Sequence, residues 1–570
     1  MTLPRFGSHP WKLPAVSGVA LAVSYFSYSL PILNFVALVP LLAWIDANLE
    51  GDWKRWRRGG AVFGLTVNVL ILHWMVSMLW ISSFGLGAWF GLAAIFGTAT
   101  TCVVMALAWA RRATGWSFAL LLPAFWLPVE WVQAQGDLRM TAQQLGHTLA
   151  GAPFLVQFVD LTGPYGAGLF VLVTNALIYE AWRTRRRGAW LVLAAMWIAV
   201  LGYDAWAWNR TFGSGETLRV AFVQPNIPLA TKMDSGTDEA QGRILDRLTR
   251  RAGTSVPDLI VWPETARPLA VYHDPTRPQT YAMPEVQRLA REFGATILVG
   301  VEYVRFETER DYKVWNAVMV VHPDGTLDPA WTAKVYLVPF VEGVPFRPIL
   351  GPILEGKKGA LRWIAGGFTP GPRGVVLPAA GTKIGATVCF EELYFDLNRE
   401  LRNAGARLQV IATNHAWFRR TLFQRYAANT VRMRAIENRS SFVRAANTGI
   451  SGFVDPHGRF LEETPLFEED LRVLDLPLAG DPTVYDRIGD VVAYLSIALG
   501  AVVVVVARRR TRREPPPPES PVVDPVPGEG PETDGPGDGP GGDGGGAWSA
   551  PPGDGHADPG EPGGDPRSEV

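Results

Sequence analysis

From its start to about residue 210 the chain carries seven apolar stretches in series, a pattern that admits little other than a bundle of membrane-spanning helices. They cover residues 13–30, 31–47, 61–83, 85–110, 117–133, 164–182 and 189–207, and an eighth covers 491–507. A helix needs roughly 20 apolar residues to cross a bilayer, with a range of about 17–25. One such run alone also fits a buried core helix, but a series punctuated by basic clusters does not. The first two are short and meet at Pro31, which fits a tight helical hairpin. The first also has the length of a signal peptide, but no small-residue cleavage site precedes the second, so it reads as retained.

Lysine and arginine in short loops stay on the cytoplasmic side. The clusters are Lys54, Arg55, Arg57 and Arg58; Arg111 and Arg112; Arg183, Arg185, Arg186 and Arg187; and Arg508, Arg509, Arg510, Arg512 and Arg513. With the N-terminus inside and eight spans, all four fall on one side, and residues 215–485 fall on the other. Dropping any one span puts a basic cluster on the wrong side. The expected organisation is therefore a seven-span domain at 1–210, a catalytic domain at 215–485 outside the cytoplasm, a final span at 488–508 and a cytoplasmic tail at 514–570. The tail is rich in Pro, Gly and Asp, buries too little apolar surface to offset its ordering entropy, and is expected to be disordered.

Composition narrows the function. The formal net charge is -1, so there is no bulk electrostatic pull toward nucleic acid. Two cysteines, Cys102 and Cys389, exclude a disulfide framework, and Cys102, inside an apolar run, reads as a small buried hydrophobe. No zinc-ligand spacing, phosphate-binding glycine loop or serine elbow is present. No metal or cofactor is expected.

Residues 215–485 alternate short apolar runs with helical patterns. The runs at 218–224, 259–262, 296–301, 317–321, 383–389, 410–413 and 442–446 read as buried strands, and 241–252, 284–293 and 421–437 as helices. This alternation predicts an α/β fold, with catalytic groups on loops at the carboxyl ends of strands.

Three residues stand at such ends. Cys389 closes Lys383-Ile-Gly-Ala-Thr-Val-Cys and precedes Glu391 and Glu392. A lone cysteine is more often structural, but a thiolate suits acyl transfer because a thioester both forms and breaks easily. Glu264, in Val261-Trp-Pro-Glu-Thr, reads either as turn decoration or as a base partly desolvated by Trp262 and Pro263. Lys334 is flanked by apolar residues, unlike an ordinary surface lysine, and if buried needs Glu264 or Glu342 as partner. Its charge, with the N–H after Cys389, would hold the oxyanion of a tetrahedral intermediate.

The order Glu264, Lys334, Cys389 resembles the Glu-Lys-Cys triad of the nitrilase superfamily, and its setting among membrane spans is similar to the apolipoprotein N-acyltransferase family. The matching motifs are Val223-Gln-Pro-Asn-Ile-Pro, Trp262-Pro-Glu-Thr, Lys334-x-x-Leu-Val-Pro-Phe-x-Glu-x-Val-Pro, Cys389-Phe-Glu-Glu and Arg444-Ala-Ala-Asn-Thr-Gly-Ile-Ser. The chain departs from the usual pattern at Val341, Gly343, His415, Met233, Ser440 and Ser441 and keeps the triad. The resemblance implies an α-β-β-α sandwich beside a polytopic helical domain in the inner membrane of a bacterium. It implies Cys389 as nucleophile, Glu264 as base, Lys334 on the oxyanion, and Glu342 and Glu391 in support. The implied donor is a membrane phospholipid, and the implied acceptor is the α-amine of a diacylglyceryl-cysteine at a lipoprotein N-terminus. A single copy of the chain is expected to suffice.

The apolar segment 344–368, with Phe346 and Trp363, reads as a lid dipping into lipid or as an internal loop packed on the domain, and Trp417 as a substrate contact. Glu130, near the outer end of its span, is either a functional acid or snorkels to the interface. Two other readings stay open here: an anchored amidase that releases its acyl group to water, and a non-enzymatic scaffold or lipid-binding module.

Overall fold

Each apolar run has become a helix in the computed structural model, which describes residues 11–26, 31–80, 84–266, 271–273, 283–308, 311–339, 341–354 and 367–512. The bundle comprises α1 (Lys12–Phe26), α2 (Val39–Ala47), α3 (Trp53–Ile71), α4 (Phe84–Thr114), α5 (Phe118–Gln133), α6 (Val159–Thr184) and α7 (Arg187–Trp208), with a last helix at Val491–Thr511. Among the described residues five helices are long and apolar enough to cross a membrane, while Lys12–Phe26, Pro31–Ala47 and Phe118–Gln133 are shorter. The 16 residues of α5 reach about 24 Å at 1.5 Å per residue, against a hydrocarbon core of about 30 Å. The expected disordered tail, 514–570, lies outside the described residues.

The ends bearing the basic clusters lie together. Asp46, closing α2, accepts from Arg111 Nε and lies 3.0 Å from Arg183 Nε, joining the ends of α4 and α6. Arg112 stacks over Trp56 in the first turn of α3, and Arg510 of the last helix donates to Thr114 O at the end of α4. At the opposite end α5 and α6 are joined by the turns that meet the catalytic domain. Glu130 does not snorkel: it is buried, accepting from Trp126 Nε1 at 3.0 Å and Leu145 N at 2.7 Å. Cys102 is exposed on the outside of α4, not buried as expected, because apolar sequence in a bundle faces outward as readily as inward.

Residues 215–485 form two facing sheets. The first contains β1 (Thr217–Gln224), β2 (Leu259–Val261), β3 (Val271–His273), β4 (Thr296–Phe306), β5 (Tyr312–Val321), β6 (Leu327–Ala333) and β13 (Asp470–Pro477), in the order β13-β1-β2-β4-β5-β6 with β3 on β4. The second contains β7 (Val376–Ala379), β8 (Thr382–Val388), β9 (Leu408–Thr413), β10 (Phe442–Ala446), β11 (Gly452–Val454) and β12 (Phe460–Glu463), in the order β12-β11-β10-β9-β8-β7. The central pairs β1–β2, β2–β4, β8–β9 and β9–β10 are parallel, so their carboxyl ends point the same way within each sheet.

Val220, Phe222 and Leu298 of one sheet pack on Ile384, Val410 and Val443 of the other, forming the inner core. Helices Asp238–Gly253 and Pro284–Phe293 cover the first sheet, burying Leu245, Leu248, Val286 and Leu289. Helices Phe395–Asn403 and Phe423–Asn438 lie on the second sheet's side. The result is an α-β-β-α sandwich, as expected.

Helix Phe423–Asn438 is buried on nearly every side because the membrane bundle packs on it too, which explains its poor amphipathic signal. Tyr426 donates to Ala142 O, Arg432 to Gly151 O, and Arg434 pairs with Glu437 beside His147. Just beyond it, Arg439 pairs with Asp160 at 2.8 Å and donates to Gln157 Oε1 at 2.7 Å. These contacts, most of them buried, fix the height of the sandwich over the bundle.

Candidate active site

Glu264 lies in a turn forced by its neighbours. The fully buried β2 is followed by Trp262, whose indole N–H donates to Thr249 Oγ1 at 3.0 Å. The chain then turns through Thr265, in the left-handed region at φ 40°, and returns to the sheet through Ala266 N on Gly300 O at 2.8 Å. Only glycine allows so close an approach: a Cβ at position 300 would fall 2.3 Å from Pro263 O. The Glu264 carboxylate is held at both oxygens, Oε1 by Asn316 Nδ2 at 2.7 Å and Oε2 by Asn414 N at 2.6 Å.

Lys334 follows β6 and is wholly buried. Its backbone is fixed by Asn316 O and Gly371 N, both at 2.8 Å. Its ammonium donates to Glu342 Oε1 at 2.7 Å, and Glu342 Oε2 accepts from Val338 N at 2.9 Å, closing the loop around the pair. Burial alone would lower the lysine's proton affinity. The charge on Glu342, with that of Glu264, reverses this and raises it above the ordinary value. Lys334 is therefore a fixed cation.

Cys389 directly follows β8 and opens the 3₁₀ turn Cys389–Leu393. Its φ of 57° places a non-glycine residue in the left-handed region, a strained strand-to-helix corner that turns the sulfur toward the strand ends. Burial pushes the thiol's pKa up, the Glu264 carboxylate pushes it further, and the Lys334 ammonium opposes both. The three side chains act on one another by charge, so the fold brings together groups spread over more than a hundred residues. The resting sulfur is a neutral thiol beside a carboxylate able to take its proton.

Glu391 faces away from solvent and ties two segments together. Its carboxylate accepts from Val335 N at 2.6 Å, Tyr336 N at 2.9 Å and Val388 N at 2.8 Å, joining the Lys334 loop to the strand that precedes Cys389. Burial raises its pKa to about 7. Glu392 forms the floor beneath the corner, accepting from Arg444 Nε at 2.7 Å and Nη2 at 3.0 Å, with His415 Nε2 at 3.1 Å. All three are fully buried.

Trp417 is half-buried in the 3₁₀ turn His415–Phe418. Phe346 is exposed, and its N–H donates to Asp137 Oδ2 at 2.8 Å in the loop after α5. Helix Arg347–Leu354 follows with Ile349 and Ile353 exposed on one face, and Trp363 lies outside the described residues. Beside Cys389 a buried aromatic cluster joins the sandwich to the bundle. Phe390 stacks on Phe423 with centroids 5.7 Å apart, and Trp74 of the bundle meets Phe423 at 4.5 Å and Phe418 at 5.3 Å.

Sequence reasoning missed Asn316, and it matched the segments of Asn414 and Arg444 to the family without giving either residue a part in this site. Asn316 is an amide inside the otherwise apolar strand Tyr312–Val321. A buried polar residue there needs a partner, and that was the available signal.

Residues 219–480 match the family model described as carbon-nitrogen hydrolase, and residues 17–177 match that of the apolipoprotein N-acyltransferase N-terminal domain. The apolipoprotein N-acyltransferase of Geobacter metallireducens is 31% identical over 521 residues, covering 88% of this chain and 96% of that one. Its namesake from Chlorobaculum tepidum is 27% identical over 540 residues, covering 88% and 97%. That of Gloeobacter violaceus is 28% identical over 507 residues, covering 85% and 91%. With the helical bundle, the sandwich and the buried Cys389, Glu264 and Lys334 in one molecule, the chain belongs to the apolipoprotein N-acyltransferase family, as a membrane acyltransferase with a carbon-nitrogen hydrolase domain.

Proposed function

We propose that this enzyme moves an acyl chain from a membrane phospholipid to the N-terminal α-amine of a diacylglyceryl-cysteine lipoprotein through a thioester on Cys389. Glu264 takes the thiol proton as sulfur attacks the ester carbonyl, and Lys334 with the N–H of Phe390 stabilises the oxyanion. The ester C–O bond breaks, the glycerol oxygen receives the proton from Glu264, and lysophospholipid leaves. The acceptor amine then attacks the thioester, Glu264 relays its proton to the departing sulfur, and the amide forms. Two substrates sharing one covalent intermediate predict ping-pong kinetics.

The observation that carries this reading is the aromatic path from Trp74 through Phe423 to Phe390, which adjoins Cys389. Lifting an acyl chain into water costs about 0.8 kcal/mol per CH₂. These buried rings pack the nucleophile's corner onto the helical bundle, so a donor held at the bilayer need not lift its chain into water, a placement that a water-soluble amide substrate does not require. Four basic clusters at the far end of the bundle support an inner-membrane topology, with the sandwich outside the cytoplasm. Seven spans before the sandwich and one after it complete that topology, the shorter helices among them. One copy of the chain holds all the groups named.

The test uses phospholipid labelled in its acyl chain together with a diacylated lipopeptide. Labelled N-acyl peptide with matching lysophospholipid is the expected result. Labelled free fatty acid alone would assign the site to hydrolysis.

A further inference from the structure

We propose that Lys232 is a positioning residue of this site, holding from behind the turn that carries Glu264. The inference rests on Glu264 being the base of the proposed mechanism. Lys232 ends the short helix Leu229–Lys232, and its ammonium reaches inward rather than to solvent. It donates to two main-chain carbonyls, Glu264 O at 3.1 Å and Thr265 O at 2.8 Å. Thr265 holds the left-handed conformation, which a β-branched residue adopts only when its surroundings impose it. The two bonds supply part of that constraint.

The seat of Lys232 is itself built. Ile227 N donates to Asn447 Oδ1 at 2.9 Å, and Asn447 Nδ2 returns a bond to Ile227 O at 2.8 Å. The same Nδ2 lies 3.1 Å from Asn414 Oδ1. Asn414 N in turn grips Glu264 Oε2. Asn447 thus ties together the segment that holds the Glu264 backbone and the segment that holds its carboxylate. The charged groups facing the ammonium are Glu264, on the turn after β2, and Glu302, on β4. Burial lowers the Lys232 ammonium to about 8 against the opposing pull of these two carboxylates. Its charge is complete well below pH 8 and is lost as pH rises through that value.

The experiment is single-turnover acylation of the full-length protein in detergent micelles. The donor is fluorescent phosphatidylethanolamine, and acyl-enzyme is read by intact mass between pH 6 and 9.5. Lys232→Met is expected to acylate at least tenfold more slowly at pH 7 with half-saturating donor unchanged, and to lack the fall above pH 8 expected of the native protein. A loss smaller than tenfold, or the same alkaline fall in both proteins, overturns the inference. If Lys232→Met lacks a melting transition, Lys232→Arg decides. An alkaline fall moved up by a pH unit or more supports the role, and an unmoved one overturns it. Cys389→Ala and Glu264→Gln run in parallel. If either still becomes acylated, the underlying mechanism is wrong. If both are silent while Lys232→Met behaves as native, only the role of Lys232 fails.

Discussion

Asn316 Nδ2 stands 2.7 Å from Glu264 Oε1, and the main chain of the same asparagine accepts the N–H of Lys334 at 2.8 Å. One residue in the middle of a buried strand thus sets both Glu264, the proposed base, and Lys334 relative to each other. A hydrogen bond to a charged group contributes about 1.5–3 kcal/mol. Asn316→Ala is therefore expected to slow acylation roughly 10- to 100-fold. Quench-flow of the acylation step checks this, and a rate equal to native would remove Asn316 from the account.

Glu342 is the ion partner of a lysine with no solvent exposure. Removing one member of such a pair leaves a buried charge uncompensated, at about 3–5 kcal/mol. Glu342→Gln is expected to lower the melting temperature in detergent and reduce acylation by two orders of magnitude or more. Donor binding, read by equilibrium capture of labelled lipid, should change far less.

Gly300 lets the Glu264 turn lie against β4. A methyl at this position meets Pro263 O and Glu264 Cα, backbone atoms that cannot rotate away. Displacing a catalytic group by about 1 Å costs on the order of 100-fold. Gly300→Ala should therefore lose most of its activity while retaining the cooperative melting of the bundle and sandwich. Parallel activity and melting measurements separate these effects, and full activity would show that the turn does not position the base.

The floor of the site predicts an acid limit. Burial would raise the Glu392 pKa, but Arg444 and His415 overcome it and hold the carboxyl at about 2. A depressed acid adds stability above its unfolded value that is lost as pH falls through the folded one. At about 1.4 kcal/mol per pH unit, Glu392 contributes roughly 3 kcal/mol near neutrality. This is lost between about pH 4.5 and 2. Burial also lowers the pKa of His415, so charging it below its ordinary range acts in the same direction. Melting scans across this window should show a steep acid loss in the native protein and a flatter one in Glu392→Gln.

Much of this was legible because the strongest signals are local. All seven expected strands formed, since fully buried parallel strands such as β2 and β9 are continuous apolar runs. Six strands escape the sequence reading: β6, β12 and β13 because they are half-exposed and mix polar with apolar residues, and β3, β7 and β11 because they are only three or four residues long. The short helix α5 includes Pro123 and Pro128, yet its apolar character still marks it. At the site, the sequence showed which groups could do chemistry but not what holds them. The bonds from Asn316, Asn414, Arg444 and Lys232 join segments distant in the chain, and no spacing rule encodes them. The resemblance implies a supporting role for Glu391, and its three backbone donors show that it binds two loops together.

The central claim is that Cys389 carries the acyl group between two substrates. Intact-mass measurement after incubation with phospholipid alone should show one acyl chain added, mapping to the peptide that contains Cys389. The adduct should disappear when diacylated lipopeptide is supplied and form on neither Cys389→Ala nor Glu264→Gln. Acyl transfer to the peptide by a Cys389→Ala protein, with no adduct at any stage, would contradict the account.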